Sequence, residues 1–255
     1  MDFTGRTIVV AGGATGIGRA TVELLGQRGA QVAIIDRNLA RAQEVADLAG
    51  GRAYLADVSD EAQVVAAFAT IDRDFGPLHG LYSNAGIIRV EGSIHEETVE
   101  AWDAIISVNL RGTFLTVREA IKRFVAQRAP AAIVCTSSAV AKLAIPGDGS
   151  AYTASKGGIE ALVRQVAVDY ARLRIRINAV APGAIETPLM WETTPAAEVD
   201  AMRRVIDGQV PLGRIGLPID IAHCVAWLLS DEAAYVTGAT VLVDGGAGAK
   251  MVLSV

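Results

Sequence analysis

A surplus of positive charge, a long apolar run, clustered metal ligands and paired cysteines are all missing from this chain, and each absence removes a class of function. Lys and Arg number 23 against 28 Asp and Glu, for a net charge of −5. That balance offers no positive field to a polyanion, so nucleic acid is not an expected partner. No apolar run reaches the ~18 residues of a membrane span. The start, MDFTGRTIVVAGG, lacks the charged segment, apolar stretch and cleavage site of a secretion signal. A soluble, cytoplasmic protein with no membrane partner is expected. Cys135 and Cys224 lie far apart in apolar runs and read as reduced core thiols. His79, His95 and His223 are scattered without ligand spacing, so no metal is expected. With 255 residues, 51% of them hydrophobic and 5% aromatic, the chain is long enough for one substantial core, and one large α/β domain is as plausible as two small ones.

What is present is an alternation. Short runs rich in β-branched residues, at 6–12, 30–36, 52–57, 78–84, 131–137, 175–182 and 239–245, are apolar at successive positions. Strands of a parallel sheet covered on both faces have this character. Amphipathic helical patterns separate them, several stopping at glycine, as at Gly29, Gly50 and Gly76. Strand and helix in alternation predict right-handed βαβ units, hence an α/β doubly wound sheet. The segment 185–213 breaks the alternation and carries three prolines. An excursion there suits a substrate lid over 186–212.

The first strand runs into AGGATGIGRATVELL, where Gly12, Gly16 and Gly18 leave a strand and open a helix. Positions without side chains let the backbone approach a pyrophosphate, whose charge the helix N-terminus favours. The second strand ends in Asp36, eighteen residues past Gly18. A carboxylate there binds ribose hydroxyls and repels a 2′-phosphate, which points to NAD over NADP. Arg37, next in line, pulls the other way.

AGGATGIG, DVS at 57–59, SNAG at 83–86, Asn109 in SVNL, Ser138, YTASK at 152–156 and PGAIETP at 182–188 together resemble the short-chain dehydrogenase/reductase family, in family order along the whole chain. The resemblance implies a single Rossmann-type domain with a seven-stranded parallel sheet, assembled as a homotetramer. It implies cofactor contacts from Gly12, Thr15, Gly16, Ile17, Gly18, Asp36 and Arg37. Asp57 and Val58 would contact the adenine, Asn84, Ala85 and Gly86 would flank the cofactor, and Pro182, Gly183, Ile185 and Thr187 would hold the nicotinamide end. Asn109, Ser138, Tyr152 and Lys156 would be the catalytic set, with Tyr152 and Lys156 also touching the cofactor. Four departures stand out. Ala11 and Ser83 replace a threonine and an asparagine, so a side-chain hydrogen bond between neighbouring strand ends is expected to be lost. Ala141 replaces a frequent glycine. Ser138 lies one residue farther from Tyr152 than the family pattern, which places an extra residue in GDGSA, beside the substrate. Ser137 is the weaker candidate for the serine's role.

Tyr152 and Lys156 are four apart in a helical pattern, which puts them on one face. A phenol titrates near pH ~10 and becomes a usable base only if a cation favours its ionised form. Tyr152 would take the proton of an alcohol as hydride leaves its carbon, Ser138 would donate to the oxygen, and Asn109 would hold a water leading to Lys156. Ser138, Ala144, Ile145, Tyr152, Met190 and Trp191 are the expected pocket, with Val90 and Lys142 at its rim. Its apolar cast suits small cyclic or aromatic alcohols and ketones. Two other functions compete: an NADPH-dependent 3-oxoacyl-carrier-protein reductase, with Arg128, Arg172 and Arg174 facing an acidic carrier, and a non-catalytic NAD-sensing protein.

Overall fold

The structure, a computed structural model, describes residues 1–89, 92–144, 149–191 and 194–250. Its strands are β1 Thr7–Ala11, β2 Gln31–Asp36, β3 Arg52–Leu55, β4 Gly80–Ser83, β5 Ala131–Thr136, β6 Ile175–Pro182 and β7 Thr240–Val243. They form one 7-stranded sheet in the order β3-β2-β1-β4-β5-β6-β7, and every neighbouring pair is parallel. Parallel neighbours need a crossover, and helices supply it: α1 Gly16–Gln27, α2 Leu39–Ala49, α3 Glu61–Phe75, α4 Val99–Ile105, α5 Gly112–Gln127, α6 Ser150–Tyr170, and later α7 Pro188–Trp191, α8 Val199–Gln209 and α9 Pro218–Leu229.

Helices on both faces explain why the strands are apolar at successive positions. On β1, Val9 and Ala11 enter one core cluster and Ile8 and Val10 the other. β2 and β6 end where the runs read from the sequence end; the other five strands end one or two residues inside them, and Gly12 and Asn84 already belong to the loops at the sheet's carboxyl edge. The helical pattern across 99–128 is continuous, but its middle, Ile106–Arg111, winds as a π-helix between α4 and α5. Such wide turns re-aim side chains and concentrate at functional sites. Gly29, Gly50 and Gly76 each follow a helix with positive φ, as expected of C-terminal glycines.

β1 lies between β2 and β4. The chain winds away from that boundary in both directions, and a crevice opens beyond the carboxyl ends of β1 and β4, where ligands of doubly wound sheets bind. The segment after β6 bends back towards this crevice. Among the described residues, no helix is long and apolar enough to cross a membrane, and no group of His, Cys, Asp and Glu could hold a metal ion.

Candidate active site

At Gly12, in a left-handed conformation with φ +80, a Cβ would stand 2.6 Å from the Ala85 Cα; at Gly18 it would stand 1.9 Å from the Gly12 carbonyl oxygen. Backbone meets backbone at both positions, so only glycine fits. Thr15 then opens α1, which has no side-chain cap and no acid in its first turn. Unpaired N–H groups beside a loop clear of side chains fit a pyrophosphate. Across the crevice the Thr187 methyl would lie 3.2 Å from a Cβ on Gly16. Ile17, next along α1, is half-buried.

Asp36 ends β2, as the sequence suggests. Its Oδ2 accepts the Ala14 N–H at 3.1 Å and its Oδ1 the Asn38 N–H at 2.9 Å, which ties the carboxylate to the glycine loop and to the start of α2. Each oxygen keeps a lone pair for a ribose hydroxyl. Arg37 is exposed. Two further arginines, Arg19 and Arg41, line a recess beside Thr15 and Gly16; Arg19 pairs with Glu23 at 2.7 Å. They belong to helical patterns, so nothing in the sequence singles them out. After β3, the Asp57 carboxylate accepts the Ser59 N–H at 2.8 Å and its hydroxyl at 2.6 Å. Val58 is buried against Gly112, where a Cβ would stand 2.8 Å from its Cγ2.

The side-chain bond that Ala11 and Ser83 cannot make has replacements. The Ala11 carbonyl accepts the N–H groups of Asn84 and Ala85, both at 2.9 Å, and Ser83 Oγ pairs with Thr116 Oγ1 at 3.0 Å. Asn84 Nδ2 donates to the Gly12 carbonyl at 2.9 Å, while its Oδ1 accepts from the Tyr82 hydroxyl at 3.0 Å. Tyr82 has no exposed surface, and burial raises its phenol, so it stays a neutral donor. Thr136 Oγ1 completes the group, 2.8 Å from the Tyr82 oxygen.

Tyr152 and Lys156 share a face of α6, as their spacing predicts. The Lys156 Nζ lies over the Tyr152 ring, 5.5 Å from its centroid. Lys156 is only 3% exposed, and its Nζ donates to the Thr136 carbonyl at 2.9 Å. Burial pulls the pKa of its ammonium down to about 8, with nearby Cys135 opposing.

The end of β5 separates the two candidate serines. Ser137 is buried and donates to Glu160 Oε1 at 3.1 Å. Ser138, half-buried, opens a 3-10 turn and accepts the Val140 N–H at 3.4 Å, which leaves its own O–H to donate. Asn109 is fully buried in the π-helical turn. Its Oδ1 accepts the Ile87 N–H at 2.8 Å; its Nδ2 donates to the Ile87 carbonyl at 3.0 Å and to Ser155 Oγ at 3.2 Å. Beside the water-holding role expected of it, this side chain clasps the segment after β4 to α6. Gly86 lies within that clasp: a Cβ on it would stand 3.3 Å from Asn109 Oδ1 and 3.6 Å from Lys156 Nζ.

Pro182 closes β6, buried. A Cβ on Gly183 would stand 2.6 Å from the Asp244 Cβ, and Ile185 forms a parallel bridge with Gly216. These ties aim Thr187 at the glycine loop. Met190 and Trp191 on α7 are half-buried. Arg203 of α8 stacks 5.6 Å from the Trp191 ring centroid and pairs with Glu186. Ala144 is exposed, Ile145 and Val90 lie outside the described residues, and Lys142 stands 4.0 Å from Glu160 Oε2.

Nothing in the sequence marks Glu97. Its carboxylate accepts the Ala151 N–H at 3.1 Å and the Ser150 hydroxyl, at sequence separations of 54 and 53.

A family model described as enoyl-(acyl carrier protein) reductase matches residues 11–248. The cis-4-hydroxycyclohexanecarboxylate dehydrogenase of Sinomonas cyclohexanicum is 39% identical over 251 residues, spanning 96% of this chain and 97% of that protein. The crystal structure of levodione reductase matches with a TM-score of 0.91 at 36% identity, covering 98% of this chain and 100% of that one. That of a 3-ketoacyl-(acyl-carrier-protein) reductase from Brucella melitensis, complexed with NADH, matches with a TM-score of 0.88 at 32% identity, covering 96% and 99%. Motif order, sheet order and relatives agree over almost the full length: the chain belongs to the short-chain dehydrogenase/reductase family of oxidoreductases.

Proposed function

We propose that this chain interconverts a secondary alcohol and a ketone, with NAD as its dinucleotide. One observation carries the reading: a buried ammonium, Lys156, held over the ring of Tyr152. A cation this close favours the phenolate and can lower a phenol's pKa by ~1–3, towards the neutral range. Tyr152 then takes the hydroxyl proton during oxidation and returns it during reduction. Ser138 donates its O–H to the substrate oxygen, where charge develops. Lys156 keeps donors beyond its Thr136 bond and reaches the nicotinamide ribose with them. Asn109 holds Gly86 and Ile87 in place beside it. The dinucleotide, when bound, supplies the hydride acceptor or donor. Asp36 favours NAD by repelling a 2′-phosphate, against the pull of Arg19, Arg37 and Arg41.

The substrate is small, apolar, and cyclic or aromatic. Met190 and Trp191 support the apolar character, and the relative whose name specifies a hydroxycyclohexane acid supports the ring, although that acid is itself charged. The segment 186–212 closes over the substrate, and the chain works as a homotetramer, which light scattering checks. The test of the reaction is NADH formation across a panel of cyclic secondary alcohols, with NAD and NADP in parallel. Turnover with NAD is the expected result. No reduction across the panel, with NADH binding intact, would overturn the reading in favour of an NAD-sensing protein. A second reading, reduction of 3-oxoacyl thioesters, draws support from the Brucella melitensis neighbour. Because that neighbour is complexed with NADH, cofactor choice does not separate the two readings; an acyl thioester in the panel does.

A further inference from the structure

We propose that Glu97 is a positioning residue for Tyr152, fastening the first turn of α6 from the segment that precedes α4. The inference rests on the function proposed above and adds a residue that no motif marks.

α6 starts without a fastening of its own. Its N-cap is Gly149, at φ +85, and its first turn contains no acid. The leading N–H groups of a helix have no intrahelical acceptor. Glu97 provides one from far away: its carboxylate takes the Ala151 N–H at 3.1 Å and the Ser150 hydroxyl, on the two residues directly before Tyr152. A carboxylate also suits the positive end of the helix. The approach is close. A Cβ on Gly149 would stand 3.3 Å from the Arg89 carbonyl oxygen and 3.9 Å from Glu97 Oε1.

The segment that carries Glu97 is itself anchored. Thr98, next in sequence, is the N-cap of α4 and accepts the Ala101 N–H at 3.2 Å. α4 runs on into the π-helical turn, where Asn109 reaches Ser155 of α6 at 3.2 Å. One continuous segment therefore grips α6 at two places, residues 150–151 and residue 155, with Tyr152 between them. The rest of α6 is held independently, by Ile159, Val163, Val166 and Ala167 in the core and by the Lys156 bond to Thr136. Loss of the Glu97 contact should loosen the first turn alone. That turn orients the phenol and leaves the glycine loop untouched.

The test compares Glu97→Ala, Glu97→Gln and the parent protein by three measurements: hydrogen exchange of peptides covering 149–156, NADH affinity by fluorescence titration, and kcat on an alcohol turned over by the parent. Glu97→Ala should speed exchange in that stretch only, leave NADH affinity unchanged and lower kcat by ~10–100-fold, the scale of a small misplacement of a reacting group. Glu97→Gln keeps an acceptor for the Ala151 N–H and should restore most of kcat. Parental exchange and kcat in Glu97→Ala would overturn the proposal. So would NADH affinity falling in step with kcat, or a Glu97→Gln variant no better than alanine. The exchange measurement needs no turnover. If the parent protein turns over nothing while Glu97→Ala still loosens 149–156, the function reading fails and the fastening stands.

Discussion

The glycine loop and the segment from Ile185 to Gly213 face each other across one crevice and are held by opposite means. In the loop, backbone packs on backbone so closely that a single methyl at Gly18 would overlap the Gly12 carbonyl, at 1.9 Å. In the opposing segment α8 buries no residue at all. Ile185 and Val210, on either side of it, are buried, but α8 itself is held by polar ties: the Arg203–Glu186 pair, Arg203 against Trp191, and the Asp207 carboxylate accepting the Ile215 N–H at 2.6 Å. Steric exclusion tolerates almost no substitution, whereas half-exposed ion pairs contribute little each and can be exchanged. The glycine loop is therefore recognisable in a single sequence, and the opposite wall, where the substrate is proposed to sit, is free to differ at little cost to the fold.

The harshest way to break this contrast is Gly18→Ala. The added methyl has no space, so the loop must shift at a cost of ~1–3 kcal/mol or more, and NADH binding should be lost in calorimetric titration. Binding that survived would mean the loop yields as readily as the opposite wall. Tyr152→Phe removes only a hydroxyl. It should lower kcat by about 100- to 10,000-fold, the usual contribution of a proton-transfer group, with NADH affinity retained; kinetics and titration on the same preparation check both.

Lys156 sharpens the comparison through pH. Its pKa of about 8 in the folded protein lies below the ordinary 10.5. Between those values the unfolded chain binds more protons than the folded one, so stability rises with pH across that window. Below it the burial cost of the charge is felt in full. The expected rise is on the order of 3 kcal/mol, and Lys156→Met should lack it; urea unfolding near pH 7 and near pH 10 measures the difference. The gentlest change is Glu186→Gln, which breaks the half-exposed pair with Arg203. Stability should fall by less than ~1 kcal/mol, while KM for the alcohol rises and NADH affinity does not move. An unaltered KM would remove this segment from the substrate wall.

Much of the fold can be read directly from the chain. β1, β4 and β5 are buried at every position because both faces are covered, most of their residues are apolar, and the loops begin where Gly12 and Asn84 interrupt that character. Tyr152 and Lys156 declare their shared face through spacing alone. The two serines are a different matter. Neighbouring residues in extended backbone point to opposite sides, so one of Ser137 and Ser138 had to turn away. Nothing in TSSA says which. The pairing of β5 with β6, continued by the Ser137 N–H to the Val180 carbonyl at 2.8 Å, sends Ser137 towards Glu160 and leaves Ser138 at the crevice. Arg19 and Arg41 are similarly silent in sequence, because an arginine on an exposed helical face is ordinary until a glycine loop is placed beside it.

Periodicity and local spacing were enough for the strand–helix alternation, the tight turn after β1, the acid at the end of β2 and the tyrosine–lysine face. Each depends on residues within a few turns of one another, where backbone geometry alone sets side-chain direction. Assembly of the whole chain was needed for the contacts that join distant segments: Glu97 on the first turn of α6, Asn109 on Ile87 and Ser155, and Tyr82 with Thr136 behind Asn84. Hydrogen bonds across such separations exist only once the sheet order has brought their carriers together, and no local pattern records that order.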